Sequence, residues 1–518
     1  MSSIRISARP ARQRGQSLPL GLAAMMFTAI LTLALFNTGQ VTSEKMRLTN
    51  TADAAVYSGL VWQARGLNFQ AYMNRAMVAN QVSIAQVVSL VSWSRYLRTA
   101  ARNLNYVLGW IPPVRPFTQA FYNASIELNE LVRQVAEVAV NVLDGLLDVL
   151  RFAQQSVHVA TGASTQEIVR KVVERNDARY RLTYLGAGFL AKNTADWYRF
   201  TKNYDDDDGL VRKADVITRS RDRFTRDRGW SERMLDVGII KVELVKAGET
   251  RLMRKAKSND ADDDDWYGNR RQRSGSNLDW QWKGKDTLSV HLRWKCIRRW
   301  RLTTCREELP VGWGAALVST TGQDIESCNE DDEDGGFWFF RSGCPPWSRN
   351  ARAERLAEME KDILDANYDG VRSYRDIADA GVQDPRLPLV VEVRVDHRAV
   401  RTSTKVKGIG SPAKAGESRN GMGTGMFRVA DDFAESKVGD GGAQLAAIAK
   451  GEVFFRRPVK RVPGRWGATD SQDEFGSLYN PYWDVHLLPA DRERIAAWAT
   501  RGVADFVGLA GELSGGRI

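Results

Sequence analysis

The chain of 518 residues has little of what most hydrolases and metalloenzymes rely on. It carries four histidines, His158, His291, His397 and His486, and four cysteines. No histidine lies in an HExxH motif, and there is no G-x-S-x-G and no G-x-x-x-x-G-K-[ST]. Zinc-protease, nucleophile-elbow and P-loop chemistry therefore have no motif to stand on. Only 15 prolines are present against 16 tryptophans, which argues against long extended linkers and for apolar or interfacial surface. Apart from one N-terminal run, long hydrophobic stretches are missing, which excludes a polytopic membrane protein. With 43% hydrophobic and 26% charged residues, a wholly disordered chain and a collagen-like fibre are excluded too. The formal charge of +11 comes from 74 basic and 63 acidic residues mixed along the chain, so charge alone does not select an anionic partner. The length exceeds the usual range of one core and predicts two or three domains.

The single hydrophobic run is the clearest signal. From Gly15 to Ser43 there is no Asp, Glu, Lys or Arg, and Leu18 to Phe36 reads LPLGLAAMMFTAILTLALF. As a helix this stretch spans about 28 Å, close to the roughly 30 Å hydrocarbon layer. A buried core helix or a cleaved secretory signal would also be apolar. The run nevertheless follows Arg5, Arg9, Arg12 and Arg14, and NTGQVTS after Phe36 offers no Ala-x-Ala-like cleavage site. The arginines predict a cytoplasmic N-terminus, with the rest of the chain exported through one spanning helix.

The next residues can continue the helix. Leu48, Ala52, Ala55, Gly59, Gly66, Ile84 and Val91, among others, recur at steps of three and four and form one stripe. Gly59 and Gly66 each cost roughly 1 kcal/mol relative to Ala in an exposed helix, so a close packing partner is expected, on this chain or another. The N-terminal segment resembles the start of the TadE/TadG-like proteins of Flp (tight-adherence) pilus assembly. Arg14, Gly15 and Gln16 match their RGQ-type junction, and Thr51 to Ala55 match a TADAA element. GEVFFRRP at Gly451 to Pro458 and SLYNPYWDVHL at Ser477 to Leu487 are similar to late blocks of large TadG-like proteins. The resemblance covers about ninety N-terminal residues and these two blocks. It marks Gly15–Gln16 as a candidate processing junction. Pilin-like chains cut there carry Glu at the fifth mature position, where this chain has Leu20, so uncleaved anchoring is implied instead. Some TadG members hold a metal through DxSxS, which this sequence lacks, and that role is not carried over.

Pro112 and Pro113 should end the first helical region. From Phe117 to about Val157, Leu128, Leu131, Val135, Val138, Val142 and Leu146 follow helical spacing. Further helices are expected near Gln166 to Tyr198 and Asp222 to Ala256, although Ile240, Val242 and Leu244 alternate as in a strand. Strand candidates are Asp279 to Thr304, Ala315 to Ser319, Phe337 to Phe340, Val390 to Val395, Val453 to Arg456 and Trp483 to Leu488. Asp491 to Leu513 should be a closing helix, with Ile495, Trp498, Val503, Phe506 and Val507 facing the core. The expected fold is α+β: a transmembrane helix continuing into a helical stalk or bundle, then a disulfide-containing mixed α+β head. The boundaries are a basic arm at 1–15, the membrane segment at 16–43, the stalk or bundle at 44–258, and the head at 259–518, with a flexible insertion near 401–424 rich in Gly, Ser, Lys and Thr.

Cys296, Cys305, Cys328 and Cys344 do not have the spacing of paired zinc knuckles. In an oxidising exported compartment they predict two disulfides. Three pairings are open; Cys296–Cys305 with Cys328–Cys344 is preferred because each closes a short loop. The acidic runs Asp205–Asp208, Asp262–Asp265 and Glu330–Asp334 lack the EF-hand order and read as solvated loops. Asp484 and His486 share one face of a possible strand and could pair. Basic residues from Arg293 to Arg301 alternate with Trp294 and Trp300, a pattern suited to stacking on nucleic acid, but the anchor and cysteines argue against an intracellular nucleic-acid partner. No catalytic, cofactor or metal residue is assigned, and an enzyme is not expected. The resemblance implies a single-pass inner-membrane, periplasmic-facing structural component of Flp pilus assembly or a related secretion system. Its implied partners are inner-membrane and pilus-assembly proteins, pilin or pseudopilin subunits, and the bilayer along residues 18–36. The competing reading is an anchored periplasmic hydrolase or a surface-polymer or DNA-binding protein.

Overall fold

The structure, a computed structural model, describes residues 17–257, 277–298, 301–326, 346–379, 382, 384–396, 399–400, 444–456, 475–497 and 499. It begins with one helix, α1, running without interruption from Ser17 to Leu108. After Pro19 no proline occurs until Pro112, so nothing in the sequence breaks its hydrogen-bond ladder. The expected stop is where the structure places it. The chain turns through Gly109–Val114, and α2 (Arg115–Asn176) starts with Pro116 in its first turn, where the missing N–H costs nothing. The helix expected from Phe117 to about Val157 is thus longer, reaching Asn176.

The two helices are antiparallel. Thr118 donates to Asn105 Oδ1 at 2.8 Å, Ser94 meets Asn129 Oδ1 at 3.2 Å, and Gln154 donates to Asn74 Oδ1 at 2.8 Å. Gly66 and Gly59 supply the close approach that their sequence positions required. A Cβ on Gly66 would lie 2.7 Å from Thr161 Oγ1, and one on Gly59 would lie 2.9 Å from both Val169 and Leu389. Both partners belong to this chain.

After α2 the chain forms β1 (Arg181–Leu182), α3 (Tyr184–Phe200), β2 (Thr201–Tyr204), α4 (Asp207–Arg219) and the single turn α5 (Arg223–Arg226). Thr183 caps α3 by accepting from the N–H of Gly186 at 2.8 Å, which breaks the helix expected across Gln166 to Tyr198. The helix expected over Asp222 to Ala256 is not formed beyond α5. Its place is taken by β3 (Trp230–Asp236) and β4 (Ile240–Ala256), because β4 pairs along its whole length with β5 (Leu278–Arg298). The alternation of Ile240, Val242 and Leu244 was the local sign of this, and pairing of all 17 residues of β4 with β5 decides it. With β6 (Arg301–Ser319) and the short β7 (Asp362–Ile363), these strands make a five-stranded sheet in the order β3-β4-β5-β6-β7. Between β6 and β7 lies the helix α6 (Ala351–Met359). The small pair β2–β8 uses Tyr374–Ile377 as β8. A further sheet, β1-β9-β10-β11, is antiparallel and built from β9 (Leu387–Asp396), β10 (Gln444–Phe455) and β11 (Trp483–Leu488). The strand at Trp483–Leu488 is where the sequence put it. Residues 491–497 are helical, as expected, but Ile495 is exposed and not in the core, since buried Ala490 and Ala497 pack on Ile448 instead. Trp498, Val503, Phe506, Val507, the strand expected at Phe337–Phe340 and the insertion at 401–424 lie outside the described residues.

Both large hydrophobic clusters are built on α1. One joins Leu48, Ala55, Val56 and Leu60 to Leu389, Val391, Val393, Ala447 and Val453. The other joins Met77, Ile84, Val88 and Val91 to Trp280, Trp282, Ala316 and Val318. The region expected as a helical stalk, 44–258, therefore shares its buried side chains with strands from beyond residue 259, and it also supplies β1 to β4. Between the clusters α1 buries amides. Asn74 donates to the carbonyls of Arg375 (2.8 Å) and Leu478 (2.7 Å), and Gln81 donates to Gly370 and accepts from Trp282 and Tyr368. Such satisfied amides fix the register of the loops that cross the helix, because an unpaired buried partner costs about 1–3 kcal/mol.

At the distal cluster the backbone of β6 lies directly on α1. A Cβ on Gly314 would fall 2.3 Å from Tyr96 N and 2.4 Å from Ser92 O, whereas Gly188 in α3 has open space around it. Gly314→Val is expected to lower stability by about 3 kcal/mol through forced separation of strand and helix. Gly188→Ala should leave it unchanged or raise it by up to about 1 kcal/mol. Chemical denaturation of the detergent-solubilised chain measures both; equal midpoints for the two variants would contradict this packing.

Candidate functional site: the anchor helix and its contacts with the body

The first turns of α1 differ from the rest in having no protein around them. Leu18, Leu20, Leu22, Met25, Met26 and Phe27 are all exposed, and the most apolar 18-residue window, of mean hydropathy 2.1, has no buried residue. Among the described residues this is the one helix long and apolar enough to cross a membrane. Its hydroxyls are satisfied within the helix: Thr28 donates to Ala24 O at 3.0 Å and Thr32 to Thr28 O at 2.7 Å. That is what an apolar surrounding demands, since no water is there to pair with them. Leu20 is 74% exposed on this helix. The junction Gly15–Gln16 lies outside the described residues.

Burial begins just past the apolar stretch, at Asn37, Val41, Glu44 and Leu48. Glu44 accepts from Arg179 at 2.9 Å and from the Tyr180 hydroxyl at 3.1 Å. Burial, with the Glu44 carboxylate beside it, pushes the Tyr180 hydroxyl up to about 12. On the next residue the Lys45 ammonium donates to the Ala446 carbonyl of β10. The loop after α2 and strand β10 thus grip α1 within one turn of each other.

The separate sequence blocks that carried the resemblance meet along the next 45 Å or so of helix. Thr51, Ala52 and Ala55 are buried in the TADAA element. The two late blocks are neighbouring strands, with Gly451 opposite Leu487, Val453 opposite Val485 and Phe455 opposite Trp483. Gly451 rests on α1, where a Cβ would come within 2.6 Å of Leu60. Asn68 brackets Trp483, donating to its carbonyl at 2.9 Å and accepting from its N–H at 3.0 Å. Asn74 reaches Leu478 in the same block.

Elsewhere several ionisable groups are engaged within the chain. His158 is buried beside the Trp197 ring, at 5.2 Å between centroids, and burial lowers its imidazole to about 4, leaving it neutral. His291 pairs with Asn350 at 2.8 Å. Asp484 and His486 do not pair with each other: Arg456 takes Asp484 at 3.0 Å, and Glu452 lies 3.1 Å from His486. His397 lies outside the described residues. Of the acidic runs, Asp206, Asp207 and Asp208 open α4, where carboxylates favour the helix dipole, and Asp207 accepts from the N–H of Asn277. The other two runs lie outside the described residues. Among the described residues two carboxylate trios have a metal-like arrangement, but each is closed by cations of the chain. Arg372 holds Asp144, Asp148 and Asp369, while Lys283, Lys285 and Lys361 hold Asp324, Glu326 and Glu358. These lysine contacts keep the Asp324 carboxyl far below the usual carboxylate range, although burial alone would raise it. A cleft of about 460 Å³ lies beside Arg151, Asp205, Asp279 and Arg372, and in its wall the Thr320 hydroxyl donates to Asp279 at 3.3 Å. In the basic stretch Arg293 lies 3.9 Å from Glu243, and Trp294 is half-buried; Trp300 lies outside the described residues.

Cys296 and Cys305 form a disulfide across β5 and β6, with Cα atoms 5.8 Å apart. Cys328 and Cys344 lie outside the described residues. The buried charge clusters were not singled out from the sequence. The run WKGKD at Trp282–Asp286, with three charges between apolar strand residues, was the signal available for them.

No curated protein and no solved structure is significantly similar to the chain. Residues 15–66, which comprise the exposed apolar turns and the start of the buried spine, match the family model Tad, described as Flp pilus-assembly TadE/G-like, and this match supports a part in Flp pilus assembly.

Proposed function

We propose that the chain is a membrane-anchored structural component of Flp/Tad-type pilus assembly or a related secretion machine. It works through helix packing and protein–protein contacts. The apolar turns of α1 span the inner membrane, Arg5, Arg9, Arg12 and Arg14 stay on the cytoplasmic side, and the body stands in the periplasm. The N-terminus stays uncleaved, since Leu20 stands where a processed pilin-like chain carries Glu. In this reading the parts are an arm (1–15), a membrane segment (16–43), a helical part (44–258) and an α+β part (259–518), the last two sharing the clusters built on α1. The observation that supports it most is the convergence of the TADAA element and the two late blocks on the helix that also carries the anchor. An external load on the body would thereby pass straight into the membrane helix.

Deleting the gene should abolish or strongly reduce surface Flp fibres, measured by shearing and immunoblotting of pilin. The full chain should restore them, and a chain exported without residues 17–36 should not. Normal fibres in the deletion strain would overturn the proposal.

A further inference from the structure

The apolar stripe read from the sequence of α2 is not the face that packs on α1. Leu128, Val135, Val142 and Val149 follow one another at seven-residue steps, and so do Leu131 and Val138, then Phe152 and Val159. All are exposed, Val138 and Val142 by 64% and Phe152 by 71%. The buried face belongs to other residues, among them Asn129, Ala136, Val140, Leu147 and Gln154. Together the two exposed series repeat every 3.5 residues on average, which is the period of a helix packed in a left-handed pair with another helix. From Phe121 to Val159 the seam is about 57 Å long. Scattered exposed apolar residues need no explanation, but a continuous strip of this size marks an interaction site.

The bilayer does not cover this seam. Because α2 runs antiparallel to α1, Thr161 lies against Gly66, thirty residues beyond Phe36. The near end of the seam is thus about 45 Å from the apolar turns, and its far end is farther still. By sequence and length, the chain's own remaining segments do not match the seam. The longest, 401–443, is rich in Gly, Ser, Lys and Thr without an apolar heptad, and 500–518 spans only about 29 Å even if fully helical.

We propose that the seam packs against the same seam of a second copy of this chain, α2 beside α2, parallel and in register. The direction rests on the anchoring reading above. Two copies held by the same apolar turns in one membrane stand at equal height and point the same way, so equal positions of α2 meet. The flanking positions suit a like partner. In a parallel pair the residues just before one seam, Glu127, Gln134, Asn141 and Asp148, face those just after the other seam, Val132, Ala139 and Leu146, which carry no charge. No acidic side chain therefore meets its own copy. Gly145 leaves open space within the seam, which weakens the pair, while confinement to one membrane raises the effective concentration.

The test replaces Phe152 by photoreactive benzoylphenylalanine in the full chain, co-expressed in light and ¹⁵N-labelled forms, and irradiates native membranes. Mixed light–heavy crosslinks near position 152 of the second copy are expected. Val138→Asp with Val142→Asp should reduce them at least tenfold while leaving the melting temperature unchanged, since both side chains are exposed. Crosslinks to a different polypeptide, within one chain, or none at all would overturn the proposal. A mixed crosslink joining Phe152 to the region of Ala124 would overturn the parallel arrangement. Carbonate extraction of the same membranes reads the anchor separately: loss of the chain from the pellet with crosslinks intact removes the anchoring reading and leaves the pairing of copies.

Discussion

Asp286→Ala is expected to destabilise the protein by about 3–5 kcal/mol, because it strands two buried cations. Asp286 is fully buried in β5, beneath α1. Its carboxylate accepts from Arg228 at 2.7 and 3.0 Å, from Lys246 at 2.6 Å and from Ser92 of α1 at 2.7 Å. Arg228 and Lys246 have almost no contact with solvent, with side-chain exposures of 6% and 5%. Removing the carboxylate leaves both charges in a space water does not reach, which costs more than a lost hydrogen bond would. Gly248 makes the arrangement possible, since a Cβ there would fall 2.2 Å from Asp286 Oδ1. Exposed pairs such as Arg170–Glu167 behave differently; Glu167→Ala should leave the urea midpoint nearly unchanged. Urea denaturation of the two variants in detergent separates the cases. Equal midpoints would mean that Asp286 does not hold the long sheet to the spine.

Leu31→Arg should reduce stable insertion in the membrane. A charge at the middle of a spanning helix costs about 2.5–3.5 kcal/mol on insertion scales, which is a factor of roughly a hundred in the equilibrium. Leu31 is 49% exposed and belongs to neither large buried cluster, so the folded part should keep its melting temperature. Carbonate extraction is the measurement. Unchanged retention in the pellet, with the folded part intact, would contradict the spanning assignment.

Much of the long apolar-fronted helix α1 was legible because its signals are local. An uncharged stretch, a proline pair and small residues at helical steps need no tertiary context. The two late blocks were recognisable as strands, but nothing in the chain order said that they pair with each other or lie on Leu60 and Asn68. The helix expected at Asp222–Ala256 shows the opposite limit. Its residues tolerate both states, and the 17-residue match of β4 to β5, set by pairing across the chain, decides against helix. Asp286 lies 40 positions from Lys246 and 58 from Arg228, so their meeting depends on strand register that composition does not reveal. The helical spacing of the apolar residues in α2 was visible, and only the structure shows that they face outward while a polar-speckled face turns inward.

If the chain stays uncleaved, α1 is one helix that both anchors the chain and runs through the body. Mass spectrometry of the mature N-terminus of the native protein, in membrane and sheared-surface fractions, tests this. Peptides that still carry the arginine arm ahead of Gln16 are expected, in the membrane fraction only. A chain beginning at Gln16 and recovered with sheared surface material would contradict it, and would make this protein a processed fibre subunit instead of a permanent anchor.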